Sequence, residues 1–161
     1  MARRSLLLLL AATIAQASEP QDWVAIAGID TIFQVMADGD HGPSVQKGDY
    51  VECHATGIVM ESNKKFWSTK DPGQQPFSFS AGVGQVIKGW DRGVLGMQKG
   101  EKRRLKIPAA EGYGANGFPA WGIPAGATLI FEIEILKISL GQGKGPKIKD
   151  VKTELLSLIH I

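Results

Sequence analysis

The chain has 161 residues, 43% of them hydrophobic, which is enough for one buried core and too few for two comfortable domains. Its 18 basic residues face 16 acidic ones, and setting aside residues 1–17 removes Arg3 and Arg4 and no acid, leaving 16 of each. A balanced chain lacks the basic footprint that draws nucleic acid or an anionic lipid surface, so neither partner is expected.

Residues 1–17 read as a secretory signal peptide: Arg3 and Arg4 precede the apolar run LLLLLAATIA, which ends in AQA before Ser18. The run is shorter than the roughly 20 residues a bilayer crossing needs, so cleavage is expected rather than anchoring. The expected location is the secretory pathway, either the endoplasmic reticulum lumen or outside the cell, with no membrane attachment afterwards. Residues 18–42 are read as an N-terminal extension holding a first strand.

A clear strand follows at Gly48–Met60, with Val51, Cys53 and Ala55 on one face and Glu52 and His54 on the other. Cys53 is the only cysteine, so no internal disulfide is available; mid-strand placement predicts burial, with intermolecular pairing as the other outcome. Val86, Ile87, Trp90, Val94 and Met97 recur near helical spacing and predict one amphipathic helix of about three turns against a sheet. In Lys102–Ile107 the cations Lys102, Arg104 and Lys106 share one face and Leu105 and Ile107 the other, a solvated sheet face rather than a binding patch. In ATLIFEIEILKI, Leu129, Phe131, Ile133 and Ile135 alternate with Glu132 and Glu134, as in a strand with one side buried. Beyond Leu140 the chain turns glycine- and lysine-rich and is expected to be a flexible tail over 140–161. Its last six residues, LSLIHI, coincide with one reading frame of a transposase-end sequencing adapter and are expected to be foreign to the protein.

The usual catalytic signatures are missing. There is no GxSxG and no HExxH, and His41, His54 and His160 lack ligand spacing, so no metal or other cofactor is expected. The GVG at Gly82–Gly84 is followed by its next glycine only at Gly89, too late for a dinucleotide loop. What remains is a set of aromatic residues beside glycine or proline. Taken singly, Phe131 and Phe79 read as core, Trp90 as core or ligand floor, and Tyr113, between two glycines, as functional; together they point to a pocket.

The segment GVGQVIKGWDRGVLGMQKGEKRRLKIPAAEGYGANGFPAWGIPAGATLIFEIEILKI, with ATG, KKF and PFSF upstream, resembles an FKBP-type peptidyl-prolyl cis-trans isomerase domain over roughly residues 43–139, most closely in its secretory members. The resemblance implies an α+β fold, an antiparallel half-barrel sheet of five to six strands wrapped around one short helix. It implies catalytic roles for Tyr113, Trp90 and Phe131, and substrate contacts from Phe66, Trp67, Phe77, Val86, Ile87, Phe118, Ile123 and Ala55. In that reading Trp90 is the floor for a proline ring, the Ile87 N–H meets a ligand carbonyl, Tyr113 offers its hydroxyl, and Phe118 and Ile123 overhang the mouth. The glycines beside Trp90 are expected to admit close approach of chain and ligand.

The implied activity is prolyl isomerisation of proline-containing peptides and proteins by a monomer, with macrolides as further ligands. Family members usually have HYTG where this chain has HATG at 54–57, and an aspartate where Trp67 stands. Both differences remove polar groups, so reduced activity is expected; the alternative is an FKBP-like binding module or chaperone for proline-bearing segments. Trp67 is expected to fill part of the space left by Ala55, and Trp121 to add bulk to the overhanging loop.

Overall fold

The computed structural model describes residues 22–141. The expected leader at 1–17, residues 18–21 and residues 142–161, which include most of the expected tail and the final six residues, lie outside the described residues.

Seven strands form one antiparallel sheet: β1 (Val24–Ala25), β2 (Ile32–Ala37), β3 (Tyr50–Val59), β4 (Lys64–Ser68), β5 (Phe77–Ser80), β6 (Lys102–Ile107) and β7 (Leu129–Ser139). Their order is β1-β2-β6-β7-β3-β4, with β5 pairing β3. The sheet thus has seven strands where five to six were expected; one of the seven is the two-residue β1, too short to show any alternation. Strands β1 and β2 precede residue 43 and still belong to the sheet, with Phe33 opposite Leu105.

The two long strands form the centre, with Ala55 opposite Ile133 and Gly57 opposite Phe131. Their period-2 pattern turns Val51, Cys53 and Val59 inward against Leu129, Phe131, Ile133 and Ile135. Glu132 and Glu134 face outward, where Arg104 Nη2 donates to Glu132 at 2.6 Å. Cys53 is buried, and that burial, with Glu52 nearby, raises its thiol to about 12, so it is an inert packing residue.

The helix is shorter than its hydrophobic spacing predicts. Only α1 (Lys88–Gly93) is helical, and Val94 and Met97, though fully buried, lie beyond it. Gly96, at φ +81°, takes the chain out of the helical path. The last carbonyls are met by a side chain instead: Arg103 Nη1 donates to Gly93 O at 2.9 Å and Leu95 O at 3.2 Å. Arg103 is itself buried, paired with Glu101 at 2.7 Å and lying over the Phe33 ring at 4.1 Å. Burial lowers its pKa, against the pull of Glu101.

The glycines of α1 serve the helix seat rather than a ligand. A Cβ on Gly89 would stand 2.5 Å from Ile107 Cγ2, and one on Gly93 2.6 Å from Leu105 Cδ1. Four residues apart, they share one face of the helix, and α1 lies directly on β6. Trp90, the residue after Gly89, packs on Phe131 of β7, their ring centres 4.6 Å apart.

Candidate active site

Three loops, three strands and α1 bring eight side chains around one small cavity of about 70 Å³: Trp67, Phe77, Val86, Ile87, Trp90, Tyr113, Trp121 and Phe131. Trp90 and Phe131, 5% and 2% exposed, are at its base, their rings 4.6 Å apart at 58°. Phe77 and Phe79 meet Trp90 steeply, at 69° and 89°. Such tilted and edge-on contacts fix the indole in place.

The approach to the cavity is held by a buried carboxylate. Asp91 accepts from the N–H groups of Gly82 (2.8 Å) and Gly84 (3.0 Å), anchoring the loop that delivers Val86 and Ile87. Ile87 is the N-cap of α1 with an extended backbone (ψ 147°), so its own N–H lies outside the helical ladder. Glu111 ties the other side: it accepts from Asp30 N (2.9 Å), Thr31 N (2.8 Å) and Thr31 Oγ1 (2.5 Å), and Lys88 lies 3.8 Å away. Burial alone raises a carboxyl pKa, but here the bonds from Thr31 and Asp30, with Lys88, prevail and hold it below the usual value. Two residues on, Tyr113 reaches the cavity, and burial raises its hydroxyl pKa.

The rim is aromatic as well. Trp121 sits on a single 3₁₀ turn (Pro119–Trp121) and stacks on Trp67, ring centres 6.3 Å apart at 8°, and on Phe66 at 6.2 Å and 26°. The base of this loop is closed by Phe118 N donating to Ile123 O (2.9 Å) and Ile123 N to Phe118 O (3.1 Å). Phe118 rests on Tyr113 and Trp121, 5.6 and 5.5 Å between ring centres.

Seven of the eleven expected site residues line the cavity directly. Phe66 and Phe118 back it through Trp121, Phe131 and Tyr113. Ile123 is 1% exposed and braces the loop from within. Ala55 does not line the cavity: it lies deep between Ile133 and Thr69, whose hydroxyl accepts from its N–H at 3.0 Å. Trp67 lines the cavity, and Trp121 stacks on it. Gly57 went unnoticed in the sequence: a Cβ there would come within 2.4 Å of Phe66 Cζ and 2.8 Å of Phe131 Cε1, so only glycine leaves room for both walls. A glycine in the interior of a strand, between Thr56 and Ile58, is the sequence signal.

A larger concavity of about 260 Å³ lies elsewhere, lined by Met36, His54, Lys70, Lys102, Glu132 and Glu134 among others. Its lysines already pair with Glu134, at 3.6 and 3.7 Å, and no groups converge on one point. The aromatic cavity is smaller but lined almost wholly by apolar and aromatic side chains, as small-molecule sites are.

An antiparallel sheet seated on one short helix, with an aromatic cavity over the helix tryptophan and no acid, base or metal cluster in it, is the architecture of a prolyl-isomerase domain. Residues 42–136 match the model of the FKBP-type peptidyl-prolyl cis-trans isomerase family, and the chain belongs to that family. It is 55% identical over 98 residues to the peptidyl-prolyl cis-trans isomerase FKBP12 of Vicia faba, covering 60% of this chain and 88% of that protein. It is likewise 55% identical over 100 residues to the isomerase FKBP2 of Homo sapiens, covering 62% of this chain and 68% of that one. A third relative, the FK506-binding protein 2B of Rhizopus delemar, is 52% identical over 96 residues, 59% of this chain and 44% of that protein. The chain is an isomerase of X-Pro bonds.

Proposed function

We propose that this isomerase assists folding of proline-containing clients in the secretory pathway, and that it works by desolvation in the cavity above Trp90. The leader-like residues 1–17 support the location. The apolar, aromatic lining supports the mechanism.

An X-Pro amide rotates over a barrier of about 18–20 kcal/mol because twisting breaks its resonance, and unaided it takes tens to hundreds of seconds. No proton transfer is needed. The planar amide is the more dipolar form, so an apolar pocket that strips water from it favours the twisted one. Reaching milliseconds takes about a 10⁵-fold gain, or roughly 7 kcal/mol. In this reading the proline ring packs on Trp90 between Val86, Phe77 and Phe131, the Ile87 N–H and the Tyr113 hydroxyl hold carbonyl oxygens, and Phe66, Phe118 and Ile123 support the walls. Macrolides that mimic the twisted amide take the same place.

The observation that carries this is the cavity itself, aromatic, with the buried Trp90 and Phe131 at its base and no carboxylate among its lining side chains. Trp121 stacked on Trp67 leaves it small, which favours slower turnover and supports a second reading in which the domain chiefly holds proline-bearing segments. A protease-coupled isomerisation assay with a Leu-Pro peptide tests both. Trp90→Leu is expected to stay folded by circular dichroism and lose at least tenfold in kcat/KM. A folded Trp90→Leu variant with unchanged kcat/KM refutes the cavity as the site, and peptide binding without acceleration favours the holding role.

A further inference from the structure

We propose that Glu111 is a positioning residue for the isomerase: through Thr31 it sets Tyr113 against the helix that carries Trp90, so that a segment before the family-matched region takes part in catalysis. The proposal rests on reading the Tyr113 hydroxyl as a donor to the bound peptide.

Glu111 and Thr31 are 80 positions apart in the chain, and both are buried, 5% and 0% exposed. A carboxylate taken out of water is tolerated only where donors meet it. Three do so here, from two adjacent residues: Asp30 N at 2.9 Å, Thr31 N at 2.8 Å and Thr31 Oγ1 at 2.5 Å. Bonds to an ionised acceptor are the short, strong ones, so this junction is stiff. Thr31 in turn rests on α1, its Oγ1 only 2.5 Å from where a Cβ on Gly89 would stand. Lys88 adds an ion pair to Glu111 at 3.8 Å, but its side chain is exposed and such pairs are weak. The tie between Glu111 and the helix therefore runs through Thr31.

Glu111 ends the 3₁₀ turn Ala109–Glu111, and Tyr113 follows with Gly112 before it and Gly114, at φ +67°, after it. Glycines leave the backbone free to move, so the tyrosine is placed by the nearest fixed point on either side. Downstream that point is Gly114 O, which accepts from Gly126 N at 3.0 Å in the loop before β7. Upstream it is Glu111, and of the two only Glu111 reaches α1. Trp90 is the residue after Gly89. The contact from Glu111 through Thr31 to Gly89 thus joins the two groups that must face one substrate, the indole under the proline ring and the hydroxyl beside its flanking carbonyl. Misplacing such groups by about 1 Å can cost on the order of 10²-fold in rate. Asp30 and Thr31 precede residues 42–136, the part that matches the family, so the catalytic unit of this chain begins before it.

The test is a double-mutant cycle on the full chain, read by the protease-coupled assay with a Leu-Pro peptide and by thermal unfolding. Glu111→Gln puts a donor among donors, and Thr31→Val removes one hydroxyl at nearly constant shape. Each is expected to lower kcat/KM roughly two- to fivefold, and by less than about 1.5-fold when Tyr113→Phe is already present. Thr31→Ser, which returns the hydroxyl, is expected to recover at least about half of the Thr31→Val loss. The drop in Tm is expected to be the same in both backgrounds, since stability does not depend on the Tyr113 hydroxyl. Equal fold losses of kcat/KM with and without Tyr113→Phe, or a lower Tm with no kinetic loss, would make Glu111 a purely structural residue and overturn the proposal. If Tyr113→Phe alone leaves kcat/KM unchanged, the proposal also falls. A loss in Trp90→Leu then shows that the cavity is still the site, and no loss there means that both readings fail. Should Glu111→Gln not fold, the near-isosteric Thr31→Val cycle decides by the same criteria.

Discussion

Replacing Gly89 by alanine puts a methyl group where the helix meets the sheet. It would lie 2.5 Å from both Ile107 Cγ2 and Thr31 Oγ1, and 2.9 Å from Ile107 Cγ1. Neither neighbour gives way easily. Ile107 is fully buried, and Thr31 Oγ1 is committed to Glu111 at 2.5 Å. Overpacking of this kind costs about 1–3 kcal/mol, while alanine gains about 0.5–1 kcal/mol over glycine inside a helix. The net expectation is a loss of about 1–2 kcal/mol, or a Tm lower by roughly 3–8 °C for a domain of this size. Gly93→Ala is the internal control: its methyl meets only the Leu105 side chain, at 2.6 and 2.8 Å, so less of the packing has to move and the loss is expected to be smaller. Thermal unfolding of the full chain followed by circular dichroism measures both. A Gly89→Ala variant as stable as the wild type would show that α1 is not seated on Ile107 and Thr31.

Tyr113→Phe keeps the ring and deletes a hydroxyl that bonds to no protein group among the described residues; kcat/KM is expected to fall roughly two- to tenfold, and an unchanged value removes that hydroxyl from the site. Glu111 is held below the usual carboxylate value in the folded state, so its contribution is fully present above the unfolded value of about 4.5 and lost as pH falls through the lower folded one. Glu111→Gln is expected to lower Tm at pH 7 and to flatten the fall of Tm below pH 4.5, and parallel Tm-against-pH curves for the two proteins would contradict this.

Strands were legible because alternation reports burial directly. The period that placed Leu129, Phe131, Ile133 and Ile135 inside also applies to β6, where Arg103 shares parity with Leu105 and Ile107. Arg103 was nonetheless missed, since a cation among cations reads as solvated. Its burial depends on Glu101 two residues away and on carbonyls of Gly93 and Leu95, a partnership made only once α1 has docked. The overlong helix has the same origin. Val94 and Met97 are buried at helical spacing, but the loop after α1 delivers them to the core, and spacing alone does not separate the two routes.

The site was legible as a set of residue types and much less as a shape. Trp90 and Phe131 sit on elements whose inward faces the sequence pattern already marks, whereas the strand that carries Phe77 was not among those expected. Trp67 and Trp121 are 54 positions apart in the chain, and nothing in either segment announces that their rings lie parallel at 6.3 Å. That contact decides how much of the cavity is open. The expectation for Ala55 failed for a related reason: a small residue was assumed to leave a vacancy at the pocket, whereas β3 and β7 close over it and Thr69 takes its N–H. The polarity lost at Ala55 is therefore not replaced there. What polarity the lining keeps is the Tyr113 hydroxyl and two indole nitrogens, on Trp67 and Trp90, that meet no acceptor in the protein, so a ligand entering beside Trp90 meets an apolar wall where the family's usual aspartate would have placed a carboxylate.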